Sequence, residues 1–269
     1  MGIITKSPDL PLLGGPPEIT VDAIEFNGTS SYINYTNNFF YDVDLVYEPV
    51  GTHTKSFTLS FWVKPHITAA LSYQNILTVY DSVGRQTTIR VLTDSNSDIR
   101  LQFVHSTASS NRDSSNIIWR IPLGDITVNQ WNHIMYSVKV VMGGNTATFT
   151  EHLYANDVDK SSGLFTVSSF DANAVQTADT NFGLESYSGA GDWYDGCLSE
   201  FWLKDVYYDL SVESNRRRFI SENGKPVRLP TSPLIYLNGS SLTWTNSGST
   251  NLGTQTLNSI TDCADSPSD

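Results

Sequence analysis

The sequence is poor in charged residues and has no long apolar run, and each shortage excludes a class of protein. Only 16% of the 269 residues are charged, and 28 acidic residues against 16 basic ones give a formal net charge of −12. Clustered Lys and Arg are what bind a phosphate backbone, so this balance argues against nucleic acid as a partner. No segment approaches the ~20 apolar residues of a membrane span, and the first residues do not form a secretory signal. We therefore expect no membrane partner.

Cysteine is also scarce. Cys197 and Cys263 are too few for a disulfide framework or for a zinc centre built on cysteine. Cys197 lies in an apolar stretch and is interpreted as a small core residue. The sequence leaves open whether the two cysteines are bonded to each other.

What the sequence does contain is a succession of short strand patterns. In FTLSFWVKP (57–65) the apolar residues recur at every second position, as in a strand with one buried face. WNHIMYSVKVV (131–141) repeats the pattern, and a Gly-Gly-Asn turn joins it to TATFTEHLYAN (146–156), which predicts a hairpin. The Ser-, Thr- and Asn-rich segment 240–269 carries β-branched and aromatic residues at strand spacing, which predicts weak edge strands. The fold class is therefore all-β, a sandwich or jelly roll.

Residues 193–228 contain the most informative stretch. Apolar side chains occupy both faces of 197–203, which predicts an inner strand covered on each side. One short helix is predicted over 212–222, with Ser211 as its N-cap and Gly224 beyond its end. At the other end of the chain, the Pro- and Gly-rich residues 1–18 are interpreted as an extended arm, which leaves 19–269 as the sandwich domain.

The order of the motifs resembles a known superfamily. IEFNGTSSYINY, FTLSFWVKP, QWNHIMYSV, HLYAND and DGCLSEFWL follow one another across residues 23–222. This succession resembles the concanavalin A-like lectin/glucanase superfamily, and within it the laminin G-like modules. The resemblance implies a concanavalin A-like jelly-roll β-sandwich.

A narrower resemblance is to lectin-like virion proteins of tailed bacteriophages. It is carried by Gly196–Asp205, Gly224–Val227, Pro233–Gly239 and Ser266–Asp269. It implies a non-enzymatic virion structural protein, either a head decoration or cement protein or a spike, on head or tail. The chain would then be made in the host cytoplasm without a signal peptide, displayed on the particle surface as a homo-oligomer, and joined to other capsid or tail proteins through arm 1–18.

Catalysis is not expected. A retaining glycosidase needs two carboxyl groups about 5–5.5 Å apart. Enzymes of this superfamily place them on one strand as Glu-x-Asp-x-x-Glu, but no Glu-x-Asp occurs in the chain, and LSEFW offers only Glu200. His133 and His152 fall on the two strands of the predicted hairpin and could be neighbours, yet further zinc ligands are missing.

The alternative function is a carbohydrate-binding adhesin that contacts host-surface glycans. Trp193, Tyr194 and Asp195 are the candidate ligand-binding residues, because they place aromatic rings beside a carboxylate in a loop that enters a strand. The competing interpretation is that Trp193 closes the end of the core. Tyr207–Tyr208 is a second aromatic pair, and the run 216–218 of three arginines is interpreted as a solvated helix face or an intersubunit contact.

Calcium is the one metal for which the sequence offers candidate ligands. Lectin-like domains of this kind often hold it at the rim of the sandwich, and Asp192 and Asp195 are the candidate ligands. Ser199 stands where many laminin G-like relatives carry an aspartate, which departs from the family's metal-associated pattern. No other cofactor is expected.

Overall fold

A computed structural model describes most of the chain. The described residues are 16–37, 54–66, 73–81, 86–93, 99–106, 116–121, 124–143, 146–164, 178–183 and 193–269. Residues 1–15 of the predicted arm lie outside them. No helix in these ranges is long and apolar enough to cross a membrane.

The described residues are almost entirely strands. The strands are β1 (Ile24–Asn27), β2 (Tyr32–Tyr35), β3 (Thr54–Pro65), β4 (Tyr73–Asp81), β5 (Gln86–Thr93), β6 (Ile99–Ser106), β7 (Asn116–Ile121), β8 (Asn132–Gly143), β9 (Thr146–Ala155), β10 (Val158–Asp159), β11 (Ala178–Phe182), β12 (Asp195–Lys204), β13 (Ile235–Asn238), β14 (Thr245–Asn246), β15 (Gln255–Asn258) and β16 (Thr261–Asp262). The helical elements are a 3₁₀ turn at Ser161–Gly163 and α1 (Glu213–Arg216).

The strands pair into two antiparallel sheets. In the described part of the chain, one sheet has nine strands in the order β10-β9-β8-β3-β12-β1-β16, with β13 joined to β12 and β14 joined to β13. The other has seven strands in the order β15-β2-β11-β4-β5-β6-β7. The predicted hairpin of β8 and β9 is present, and so are the edge strands of the C-terminal segment, since β15 and β16 each end a sheet. The expected all-β jelly-roll sandwich is confirmed.

The core lies between the two sheets and is built from alternate residues of each strand. Phe57, Leu59, Phe61 and Val63 of β3 point inward and are each at most 2% exposed, as their spacing predicts. The intervening residues lie on the opposite face, where Trp62 contributes to a second apolar cluster with Phe219. That second cluster joins the outer face of the nine-stranded sheet to segment 205–230, which packs on it. Burying a side chain such as Phe219 stabilises the docked segment by roughly 2 kcal/mol.

β12 is the inner strand that the sequence predicts, but its side chains do not alternate strictly. A bulge between Ser199 and Trp202 shifts the register against β3, and Glu200 within it adopts φ 51°. Leu198 and Phe201 therefore both face the core, whereas Trp202 faces the outer cluster. The bulge also coincides with a change of partner, since β1 pairs with the strand before it and β13 with the strand after it.

The predicted helix is much shorter than 212–222. α1 spans four residues, its N-cap is Val212, and no side chain caps it. The proposed cap, Ser211, is instead bonded to Asp209, whose carboxylate accepts from its backbone N–H at 3.0 Å and from its hydroxyl. Tertiary packing explains the short helix, because Phe219 and Ile220 must both be buried within one turn of its end.

Strands β1 and β2 are consecutive in the chain but belong to different sheets. Asn27 closes the connection, because its side-chain oxygen accepts hydrogen bonds from the backbone N–H groups of residues 29, 30 and 31 at 2.9–3.0 Å. Gly28 follows with φ 69° and lies against the side chain of Asp195.

The sequence leaves open whether the two cysteines are bonded to each other. In the structure, Cys197 and Cys263 form a disulfide that joins β12 to the C-terminal segment.

Candidate functional site

Glu200 is the carboxylate that the superfamily resemblance highlights, and the structure buries it. Its side chain is 3% exposed and accepts a short hydrogen bond from the hydroxyl of Tyr236 on β13. Burial raises the pKa of Glu200 to about 7, against the opposing effect of that hydrogen bond. The structure therefore places this carboxyl group inside the fold, bonded to the neighbouring strand β13.

The aromatic pair that the sequence analysis emphasises separates in the structure. Trp193 is half-buried, and its ring centroid lies 6.2 Å from that of Tyr32. Tyr194 is fully buried in the core, packs against Phe26 at 5.6 Å and donates a hydrogen bond to the carbonyl of Cys197 at 3.1 Å. The expectation that Tyr194 is an exposed ligand-binding residue is wrong, because adjacent residues of an extended chain point to opposite sides.

Trp193 belongs to a surface at the edge of the seven-stranded sheet. Tyr32 and Asn34 lie on the face of β2 away from the core, since Ile33 between them points inward. On the neighbouring edge strand β15, Asn258 is opposite Tyr32 and Thr256 is opposite Asn34. We call these five residues the Tyr32–Trp193 surface: Tyr32, Asn34, Trp193, Thr256 and Asn258. It combines two aromatic rings with amide and hydroxyl groups.

Asp195 points away from that surface, toward the outside of the nine-stranded sheet. Its Oδ1 lies 3.6 Å from Nδ1 of His66, and the same nitrogen is 3.7 Å from Oε1 of Glu25. The backbone carbonyl of Asp195 also accepts a hydrogen bond from the backbone N–H of His66 at 2.9 Å. This bond fixes the end of β3 against the start of β12. The three side chains are between 20% and 37% exposed.

The calcium prediction concerns Asp192 and Asp195. Asp192 lies outside the described residues, so coordination by the pair stays a prediction. Around Asp195, the described neighbours supply the carboxylate of Glu25 and the imidazole of His66. Calcium takes six to eight oxygen ligands, and this donor set does not fit that demand.

The register of β8 and β9 decides whether the two predicted histidines are neighbours. Ser137, not His133, is opposite His152, and His133 is buried against Trp62 with Nε2 2.8 Å from the hydroxyl of Ser60. Burial lowers the pKa of His133 to about 3. These two histidines therefore do not form a metal site.

The arginine run is not a solvated face throughout. Arg216 and Arg217 bind the carboxylate of Asp157 at 2.6 Å and 2.7 Å, and their side chains are 14% and 15% exposed. Arg218 lies 5.3 Å from the ring centre of Tyr208. Arg216 and Arg217 therefore attach segment 205–230 to Asp157 of the same molecule, whereas the contact of Arg218 lies within the segment.

Sequence reasoning missed Tyr32, Glu25 and His66. Tyr32 and Glu25 stand in the quoted IEFNGTSSYINY motif, and His66 directly follows FTLSFWVKP. The outward positions of each strand could have identified all three as surface residues. Their partners Trp193, Asp195 and Cys197 are more than a hundred residues away, so only the tertiary fold brings them together.

Comparisons with known proteins complete the description of the fold. No protein-family model and no curated protein matches the chain. Among solved structures, a SAP-like pentraxin from Limulus polyphemus is 14% identical with a TM-score of 0.43 over 72% of this chain and 80% of that one. A putative carbohydrate binding protein from Bacteroides ovatus is 15% identical with a TM-score of 0.46 over 91% of this chain and 60% of that one. Tailspike protein 2 from Escherichia coli O157:H7 bacteriophage CAB120 is 10% identical with a TM-score of 0.45 over 86% of this chain and 31% of that one.

This chain thus spans 60% and 31% of the length of the last two structures. At these identities and TM-scores, the likeness carries no argument about activity or ligand. Strand order and core define the class of protein as an all-β jelly-roll sandwich. Function has to be argued from the surfaces that this sandwich presents.

Proposed function

We propose that the chain is a non-catalytic, lectin-like module that binds glycans on the Tyr32–Trp193 surface. The observation that carries the proposal is the pairing of two half-buried aromatic rings 6.2 Å apart beside the side chains of an edge strand. Aromatic faces pack on the apolar face of a pyranose ring, and amide and hydroxyl groups exchange hydrogen bonds with its hydroxyls. Small-ligand sites usually combine an apolar floor with a small number of convergent polar groups.

The backbone that carries Trp193 is held by the seven-stranded sheet. Asn75 of β4 forms an isolated bridge with Trp193, and Gly183 accepts a backbone hydrogen bond from Tyr194 at 3.0 Å. These contacts hold the backbone of Trp193 to the seven-stranded sheet, with its ring 6.2 Å from that of Tyr32. A preformed surface loses little conformational entropy on binding.

The test is glycan binding by purified full-length chain, on an array and then by titration with a glycan that scores. Trp193→Ala should weaken binding by about tenfold, since an aromatic contact is worth on the order of 1 kcal/mol. The matched control is Tyr207→Ala, which removes a half-buried ring from segment 205–230, outside the nine-stranded sheet, and should leave the affinity unchanged. Equal loss in both variants, or none in Trp193→Ala, would contradict the assignment of the surface.

The absence of catalysis is part of this proposal. It is supported by the burial of Glu200 and by its hydrogen bond to Tyr236. Polysaccharide cleavage that is lost in Glu200→Gln would overturn it.

A bacteriophage particle is the proposed setting, with arm 1–18 as the link to other virion proteins. The phage-type motifs support it, because two of them meet in space. Lys225, within Gly224–Val227, bonds the carbonyl of Ser268 at 3.2 Å and that of Asp269. The hydroxyl of Ser268 accepts the backbone N–H of Val21 at 2.8 Å. The arm therefore joins the domain where these two motifs are bonded together.

A further inference from the structure

Three potential metal ligands lie together on the outside of the nine-stranded sheet, and a fourth lies beside one of them. Glu25 and Cys197 are opposite each other on β1 and β12, and both point away from the core, because Ile24 and Leu198 point into it. His66 follows the end of β3. One ligand atom from each of Glu25, His66 and Cys197 lies within 4.8 Å of the others. Asp195 lies two residues before Cys197 on β12 and adds a carboxylate oxygen 3.6 Å from His66 Nδ1. We call these four residues the His66 cluster.

The two distances known from His66 match those between neighbouring ligands of a tetrahedral zinc site. With bonds of about 2.1 Å to nitrogen and oxygen and about 2.3 Å to sulfur, neighbouring ligand atoms lie roughly 3.4–3.6 Å apart. The distances from His66 Nδ1 to Glu25 Oε1 and Asp195 Oδ1 are 3.7 Å and 3.6 Å. The sulfur of Cys197 lies within 4.8 Å of the other two ligand atoms, and rotation about its Cα–Cβ bond can move it closer once that sulfur is released.

In the structure that sulfur is bonded to Cys263. A disulfide sulfur carries no thiolate charge and is a poor ligand, so the oxidised cluster offers only an imidazole and two carboxylates. Lys64 of β3 lies opposite Cys197, but its ammonium group is bound by Asp265 at 2.7 Å. Lys64 therefore does not cancel the negative charge of the cluster.

We propose that the His66 cluster is a redox-gated zinc site, which binds a thiophilic divalent cation when the Cys197–Cys263 bond is reduced and loses it when the bond forms. A trialkylphosphine breaks the S–S bond, is oxidised to its phosphine oxide with oxygen from water, and leaves two thiols that carry the two protons of that water. Zinc then displaces the proton of the Cys197 thiol, and a zinc–thiolate bond forms. The same sulfur serves as a structural crosslink or as a metal ligand, never as both.

The experiment uses the full chain and Co²⁺ as a spectroscopic substitute for zinc, followed by Zn²⁺ in competition with a chelating dye. Phosphine-reduced protein should show the sulfur-to-cobalt charge-transfer absorption of a thiolate ligand, and oxidised protein should not. Reduction should also tighten zinc binding by at least about tenfold, since even the loss of supporting groups around a metal commonly costs that much.

Two serine variants form a matched pair. Cys263→Ser and Cys197→Ser both abolish the disulfide, but only Cys263→Ser keeps the thiol that belongs to the cluster. Cys263→Ser should bind the metal and show the absorption without reductant, whereas Cys197→Ser should do neither. In the Cys263→Ser background, His66→Ala should weaken zinc binding by at least about tenfold.

Circular dichroism of each variant establishes that it is folded. Equal zinc affinity and equal spectra in Cys197→Ser and Cys263→Ser would overturn the proposal, and so would zinc binding that is indifferent to reduction. Neither result bears on glycan binding, which uses the other sheet.

Discussion

Replacing Glu200 by Gln should make the protein more stable at alkaline pH and leave its stability at acid pH unchanged. Burial of the carboxyl group raises its pKa from 4.5 to about 7. The folded state therefore binds the proton more tightly than the unfolded state does, and stability falls as the pH rises from 4.5 to 7. The shift corresponds to about 3 kcal/mol, all of it lost above pH 7 and none of it below pH 4.5. Gln cannot ionise, and its carbonyl oxygen can still accept the hydrogen bond from Tyr236.

The assay is urea unfolding of both proteins at pH 4.5 and pH 8. The free energy of unfolding of Glu200→Gln minus that of the parent should be near zero at pH 4.5 and up to about 3 kcal/mol at pH 8. Other titrating groups cancel in this difference. Glu222→Gln, at an exposed position, is the control and should change stability by less than about 0.5 kcal/mol at either pH. A difference for Glu200→Gln that is the same at both pH values would refute the reasoning, since it would mean that the carboxyl group titrates alike in folded and unfolded chains.

The disulfide and the arm give two further predictions. Cys263→Ser should lower the free energy of unfolding by about 4 kcal/mol, because Cys197 and Cys263 are 66 residues apart and the bond restricts a long loop in the unfolded chain. Thermal unfolding should show a drop in Tm of roughly 8–16 °C that reduction of the parent protein reproduces, and a change below about 1 kcal/mol would contradict it. Truncation of residues 1–15 should leave the domain folded, because Ile19 still donates to Pro226 at 3.1 Å, but the chain should no longer co-sediment with phage particles. Unchanged incorporation would remove the arm as the link.

The strands that the sequence predicted best are those with large apolar side chains at every second position. β3 and β8 each direct one such row into the core between the sheets, so Phe57, Phe61 and Ile134 recur at the period of a strand and can be recognised without a partner. The hairpin of β8 and β9 was equally easy to predict, because the two strands are separated by only a short stretch of chain. The helix was predicted too long, since burial of Phe219 in the outer cluster governs the path of segment 205–230.

The candidate sites were much harder to predict from the sequence than the strands. Trp193 was identified as an aromatic residue of a loop, but its partner Tyr32 lies far away in the chain. Tyr194 was assigned to the surface because it stands next to Trp193, although the alternation of an extended chain sends it into the core. Asp195 was read as a calcium ligand, and its pairing with His66 depends on how β3 and β12 meet.

The sequence by itself determined the all-β class, the position of the inner strand and the absence of a Glu-x-Asp motif. These properties depend on local periodicity and on residues that are simply present or absent. Tertiary structure alone decided which way the β12 side chains face, because the bulge at Glu200 changes the alternation where β12 exchanges β1 for β13. It also decided that Cys197 meets Cys263 and that Glu25, His66 and Asp195 lie together. Such contacts join residues distant in the chain, and the energy that selects them comes from packing two whole sheets against each other.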